Sequence, residues 1–142
     1  MADQSIISAK GDIYASIEAN NSLLSAGGNL DAYDFVKATS SSILINGIVS
    51  TGGGNNVILV ASTFKAGSCD FGFYGESDLI AEQGSVIDIK GDLNINCIIT
   101  LDASTLIAGG KVTVLGSDYL GNSFVGRSAN IDVDELKIER MM

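Results

Sequence analysis

The stretch Ile6-Ile7-Ser8-Ala9-Lys10-Gly11-Asp12-Ile13-Tyr14-Ala15 is answered 17 residues later by Leu23-Leu24-Ser25-Ala26-Gly27-Gly28-Asn29-Leu30-Asp31-Ala32. In both, two aliphatic residues and Ser-Ala lead into a glycine turn, and an alternating apolar segment follows. The pattern continues along the chain. A third copy runs from Ile48-Val49-Ser50-Thr51 through Gly52-Gly53-Gly54 to Val57-Ile58-Leu59-Val60. A fourth is Leu79-Ile80-Ala81-Glu82-Gln83-Gly84-Ser85-Val86-Ile87-Asp88-Ile89, and a fifth is Leu106-Ile107-Ala108-Gly109-Gly110-Lys111-Val112-Thr113-Val114. A worn sixth begins at Phe124-Val125-Gly126 and ends in Ile131-Asp132-Val133. Alternation with period two, carried by Ile, Val, Leu and Thr and broken by Gly or Asn, reads as strand in every copy.

The copies start 17, 25, 31, 27 and 18 residues apart, a pattern kept while its length stretches. Such elasticity excludes a strict hexapeptide solenoid and suits a coil with fixed strands and variable loops. A single coil of this size cannot enclose a core, but stacked coils pair strand to strand and surround one aliphatic column. The expected fold is therefore all-β, a parallel β-helix or β-solenoid of about six coils filling residues 1–142 as one domain. Residues 126–142 would form a polar terminal coil or cap, with a helix or a further strand over 134–140. An antiparallel sandwich or barrel is the alternative. Repetition of one turn sequence, few aromatics and no proline favour the solenoid, since strands paired on both sides need every backbone N–H. Gly28, Gly54, Gly84 and Gly110 are expected to stack at bends, and Cys69 and Cys97 to be neighbours on successive coils. A second echo sets Ile43-Leu44-Ile45-Asn46-Gly47-Ile48-Val49-Ser50 against Leu93-Asn94-Ile95-Asn96-Cys97-Ile98-Ile99-Thr100, about two coils on.

Composition narrows the chemistry. The 142 residues include 17 Gly, 2 Cys and no Pro, His or Trp, with 8 basic against 17 acidic residues and a net charge of -9. Without histidine there is no Ser-His-Asp or Cys-His machinery, imidazole metal site or imidazole switch. An acidic chain with no basic cluster repels phosphate backbones, so no nucleic-acid partner is expected. Two cysteines without CxxC spacing read as buried thiols. Neither a signal peptide nor an apolar run long enough to span a membrane is present. The chain is expected to be cytoplasmic if complete, and cell-surface or extracellular if it is a mature or excised segment. The glycine-rich stretches match neither a phosphate loop nor a calcium-binding nonapeptide, and Ser40-Ser41-Ser42 reads as a polar turn.

Three segments, Ser25-Ala26-Gly27-Gly28-Asn29-Leu30, Gly91-Asp92-Leu93-Asn94-Ile95-Asn96 and Ile107-Ala108-Gly109-Gly110-Lys111-Val112, resemble the degenerate coils of filamentous-haemagglutinin-type adhesins. Those are right-handed parallel β-helices. Gly-Asp-Ile and Gly-Asp-Leu starts and the chain length are also similar to bactofilins, small polymer-forming β-helices, although bactofilin coils are shorter and more uniform. Neither resemblance implies catalytic residues or a cofactor.

Two sets of residues are candidates for function. Asp70, Phe71, Phe73, Tyr74, Glu76 and Asp78, with Gly72 and Gly75, read as a protruding loop able to touch a glycan or a protein. Asp31 and Asp34 flank Tyr33 in a smaller group. The other set lies at the ends, where a short solenoid exposes unpaired backbone and an apolar cross-section unless something covers them. The first copy starts at Ile6, leaving no room for a cap in the chain as given. Ile6, Ile7, Ile13 and Ile17 would form one mating surface and Ile131, Val133, Leu136 and Ile138 the other. The expected function is a non-catalytic structural protein whose partner is itself, assembling through solenoid ends or edges into a filament, sheath or fibre. The alternatives are an adhesin or carbohydrate-binding module using the 70–78 loop and, third, a polysaccharide lyase or glycosidase.

Overall fold

The computed structural model describes residues 2–32, 34–51, 55–71, 77–96, 98–116 and 124–140. Short strands follow one another around a three-sided coil. The first level holds β1 (Ala2–Asp3), β2 (Ile6–Ala9) and β3 (Ile13–Tyr14), and the second β4 (Ile17–Asn20), β5 (Leu23–Ala26) and β6 (Leu30–Ala32). The third has β7 (Val36–Thr39), β8 (Ser42–Ile45) and β9 (Ile48–Thr51). The fourth has β10 (Asn55–Val60), β11 (Thr63–Ala66) and β12 (Ser68–Phe71), and the fifth β13 (Ser77–Glu82), β14 (Val86–Ile89) and β15 (Leu93–Ile95). In the sixth, β16 (Ile99–Asp102) precedes β17 (Thr105–Gly116), which runs across two faces. The last level is β18 (Phe124–Arg127) and β19 (Asn130–Arg140), the latter again spanning two faces.

Every strand pair is parallel, and each strand pairs with its equivalents on neighbouring levels. The fold is a parallel β-solenoid of about six turns, and the antiparallel alternative falls. Residues 130–140 are strand rather than helix and pair with β17 along its length, with one slip between Ala108 and Lys111.

Alternation does what a pleated strand requires, pointing every second side chain inward. Each middle level sends six residues to the interior, two from each face. On the second face Leu24, Ile43, Phe64, Ile87 and Leu106 form one buried column; on the third, Leu30, Val49, Cys69, Leu93 and Val112 form another. Size is balanced within levels. The fourth carries Phe64 and Phe71, packed edge to face with ring centres 6.3 Å apart, and offsets them with the small inward residues Ala66 and Cys69.

The register corrects the phase of the repeat. The residues stacked on Ile6 are Leu23, Ser42, Thr63, Val86, Thr105 and Asn130, so the true steps are 17, 19, 21, 23, 19 and 25 residues. The first and second copies are in phase, and the fifth begins on the same face one residue late, Leu106 stacking on the column of Ile7 rather than on that of Ile6. The third begins on β9, one face late, while the fourth and sixth begin on β13 and β18, one face early. The echo between Ile43 and Leu93 likewise joins residues of different faces. All three faces carry the same apolar alternation, so similarity between strands does not reveal which face each occupies.

Two corner ladders hold the levels in register. Between the first and second faces every turn but the last places a left-handed residue just before a serine: Gln4, Asn21, Ser40, Ala61 and Ala103 have φ of 48 to 50°, and Gly84 precedes Ser85. Ser5, Ser22, Ser41 and Ser62 each donate their backbone N–H to the serine Oγ of the next level, at 3.0 to 3.1 Å. The hydroxyls of Ser22, Ser41, Ser62, Ser85 and Ser104 donate to carbonyls of the strand that precedes them. Ser41, expected in a polar turn, is thus a buried rung.

At the corner between the second and third faces, Gly11, Gly28, Gly47, Gly67, Gly91 and Gly110 form the real glycine column. From Gly28 onward each N–H donates to the carbonyl of the glycine one level earlier, at 2.7 to 3.0 Å. Of the expected column only Gly28 and Gly110 belong here. Gly84 sits at the other corner with φ +77°, and Gly54 lies outside the described residues. A Cβ at Gly47 would collide with the backbone of Gly28, whereas one at Gly11 would meet nothing within 4 Å. The residue after the glycine adds a side-chain rung: Asp12 Oδ1 accepts from Asn29 N–H, Asn29 Oδ1 from Ile48 N–H and Asp92 Oδ1 from Lys111 N–H.

Candidate functional site: the two ends of the solenoid

The inward columns run straight through the molecule and emerge at both ends. At the first level Ile7 occupies the same inward position as Leu24 and Ile43, yet it is 42% exposed because no level lies beyond it. With Ala2, Ala9, Ile13, Ala15, Ile17, Ala19 and Leu24 it surrounds an apolar hollow. Ile17 is buried on the second level and belongs to the floor, not the rim, of that hollow. Ile6 points outward on the edge strand and is highly exposed. Of the expected set, Ile7, Ile13 and Ile17 are therefore brought together in two layers, and Ile6 stands apart on the outer face.

At the other end Ile131, Leu136 and Ile138 continue the columns of Leu106, Val112 and Val114 and are 42%, 41% and 49% exposed. Val133 lies over Ala108 and is half-buried. The polar side of β19 carries Asp132, Asp134, Glu135 and Lys137, and Lys111 Nζ approaches Glu135 Oε1 at 3.9 Å. Among the described residues β2 and β3 pair on one side only, as do β18 and β19. Each end thus joins a sheet edge to an apolar patch, the combination that invites another strand.

The loop set has a different fate. Phe71 is a core residue, 1% exposed, so its ring is not available to a ligand; as the second inward position of β12 it stacks between Thr51 and Ile95. Asp70, half-buried, faces outward beside a shallow groove formed with Asn94, Asn96 and Thr113. Asp78 is half-buried on β13. Phe73, Tyr74 and Glu76, with Gly72 and Gly75, lie outside the described residues, as does Tyr33. Asp31 is half-buried on β6, and the N–H of exposed Asp34 donates to Ser16 Oγ at 3.0 Å.

Cys69 is a buried free thiol stacked between Val49 and Leu93, so its register partner on the next level is not Cys97, which lies outside the described residues. Burial, and then the charge of Asp70, push the Cys69 thiol well above its ordinary range. It stays protonated and unreactive at neutral pH. Among the described residues no group of three or more Cys, Asp or Glu is placed to hold a metal ion, and no helix is long and apolar enough to cross a membrane, which says nothing of β-barrels.

Comparison with family models, with curated proteins and with solved structures finds no match. The likeness to haemagglutinin-type coils and bactofilins rests on local segments alone, and the parallel β-solenoid is what stands.

Proposed function

We propose that this chain is a non-catalytic structural protein that self-associates through the ends of its solenoid to build a filament, sheath or fibre. The observation that carries the reading is the emergence of the aliphatic columns at both ends, with Ile7, Ile131, Leu136 and Ile138 all more than two-fifths exposed beside strand edges. Covering those columns removes apolar area from water and supplies the missing strand neighbours together. The two ends differ, and contact between unlike surfaces propagates without closing. Sedimentation over a wide concentration range, with electron microscopy of the purified protein, tests this. Mass should grow with concentration and rods should appear; a monomer at high concentration overturns the reading.

A second reading draws on the groove beside Asp70, Asn94, Asn96 and Thr113, a mixed surface that Ile95 and Leu115 also line, next to the 70–78 loop. In it the solenoid is a spacer and the loop contacts a glycan or another protein, in the manner of an adhesin. Glycan-array binding by the monodisperse protein, abolished by Tyr74→Ala, favours it over assembly.

A further inference from the structure

We infer that copies of this chain stack in one direction only, the first level of one copy lying on the last level of another in the register that already joins the levels within the chain. The inference rests on the end-to-end reading and adds its polarity and its contacts. The two end levels share a layout. Gly126-Arg127-Ser128-Ala129-Asn130-Ile131 and Ala2-Asp3-Gln4-Ser5-Ile6-Ile7 have equal length, each crosses the same corner, and the left-handed residue falls at the same place, Ser128 with φ 49° and Gln4 with φ 50°. Continuing the register past Arg127 and Ile131 brings the next copy's first level into line across that corner.

That register pairs the ends chemically. Asp3 of one copy stands over Arg127 of the other, and within the chain the register already sets Arg127 on Asp102, so the guanidinium lies between two carboxylates. Ile7 covers Ile131, Ala9 covers Val133 and Ile13 covers Leu136, closing three of the six inward columns across the junction. Lys10, just after Ala9, falls beside Asp134, just after Val133; Tyr14 falls over Lys137, where a ring can meet an ammonium group. One pair opposes the stack, Asp12 near Glu135, and Lys111 at 3.9 Å from Glu135 tempers it.

The serine ladder fits the same junction. Within the chain the N–H groups of Ser5, Ser22, Ser41 and Ser62 each donate to the Oγ of the next level, and the last level has Ala129 at the rung position. Ser5 is the rung of the first level, and its hydroxyl donates to Asp3 O as the other rungs donate to their own strands. Its lone pairs therefore lie where the Ala129 N–H of another copy would donate. The corner beside the glycine column is one residue shorter in β19 than in the first level, but β17 and β19 already accommodate a slip at that corner.

Two end-blocked variants read the polarity. Ile7→Lys spoils the first level and Ile131→Lys the last; both side chains are already exposed, and circular dichroism checks that each variant folds. Each alone should be monomeric, because every junction would contain one spoiled surface, and an equimolar mixture should give a discrete dimer. Dimers formed by either variant alone would overturn one-way stacking while leaving end-to-end assembly intact; a wild type that never assembles overturns both. Gly11→Leu, where a Cβ meets nothing in the isolated chain, should fold normally and assemble poorly; unchanged assembly counts against the register. Asp3→Arg and Arg127→Asp should each raise the concentration for half-assembly by about tenfold, and the double variant should recover most of it; additive losses would overturn the pairing.

Discussion

Ser62 joins three levels, two through its hydroxyl and the third through its backbone N–H. Its Oγ accepts from Ser41 N–H at 3.1 Å and donates to Val60 O at 2.8 Å, while its own N–H donates to Ser85 Oγ. Ser62→Ala strands a buried N–H as well as losing a bond, so it should lower unfolding stability by about 1–3 kcal/mol in chemical denaturation. Ser→Ala at exposed Ser8 should cost far less. Cys69 supplies a second test. Its folded thiol titrates above the unfolded one, so its contribution is complete below the unfolded value of about 8.5 and is lost as pH rises above it. Stability should fall with pH above that point, and Cys69→Val, matched to its column neighbours Val49 and Leu93, should flatten the fall in denaturation measured between pH 8 and 10 at about one-unit steps. Cys69 was legible as a buried thiol from composition alone. The serine rungs were not, because a serine before a strand is ordinary in sequence and only its stacked copies give it a donor to satisfy.

At the scale of the element, a strand's inward face could be read from alternation, while its corner could not. Leu24-x-Ala26 and Ile87-x-Ile89 announce buried positions, and the structure buries all four. The glycine column is the contrary case. Gly11, Gly28, Gly47, Gly67, Gly91 and Gly110 stack although the residue count between them varies, because corners differ in length while the hydrogen bonds between levels do not. Gly47→Ala should be destabilising by about 1–3 kcal/mol, since its Cβ would meet the Gly28 backbone as well as the Asn29 side-chain oxygen, and the backbone cannot move aside. Gly11→Ala at the open end of the same column should leave the melting temperature of the isolated chain unchanged. Equal shifts in thermal unfolding for the two variants would show that close packing is not what selects glycine here.

For the whole molecule, the net charge of -9 sets the conditions under which ends can meet. Seven levels at about 4.8 Å make a protomer roughly 34 Å long, comparable to the Debye length of about 30 Å at 0.01 M salt but far beyond the 8 Å at 0.15 M. Repulsion between whole protomers therefore dominates at low salt, whereas the exposed contacts at a junction are each worth about 1 kcal/mol or less. Assembly should strengthen as salt rises from about 0.01 to 0.15 M and change little beyond; light scattering that falls steadily with salt would mean that ion pairs, not covered columns, hold the copies together. The sequence by itself determined the class of fold, the strand character of nearly every segment, the aliphatic core and the residues clustered at the two ends. These follow from alternation and from glycine and proline usage, which are local and survive changes in loop length. Only the tertiary structure decided the phase of the repeat, the true glycine column, the burial of Phe71 and the stacking of Cys69 on Leu93. Those depend on register between residues 17 to 25 positions apart, which hydrogen bonds between levels set and which three faces with the same apolar pattern conceal.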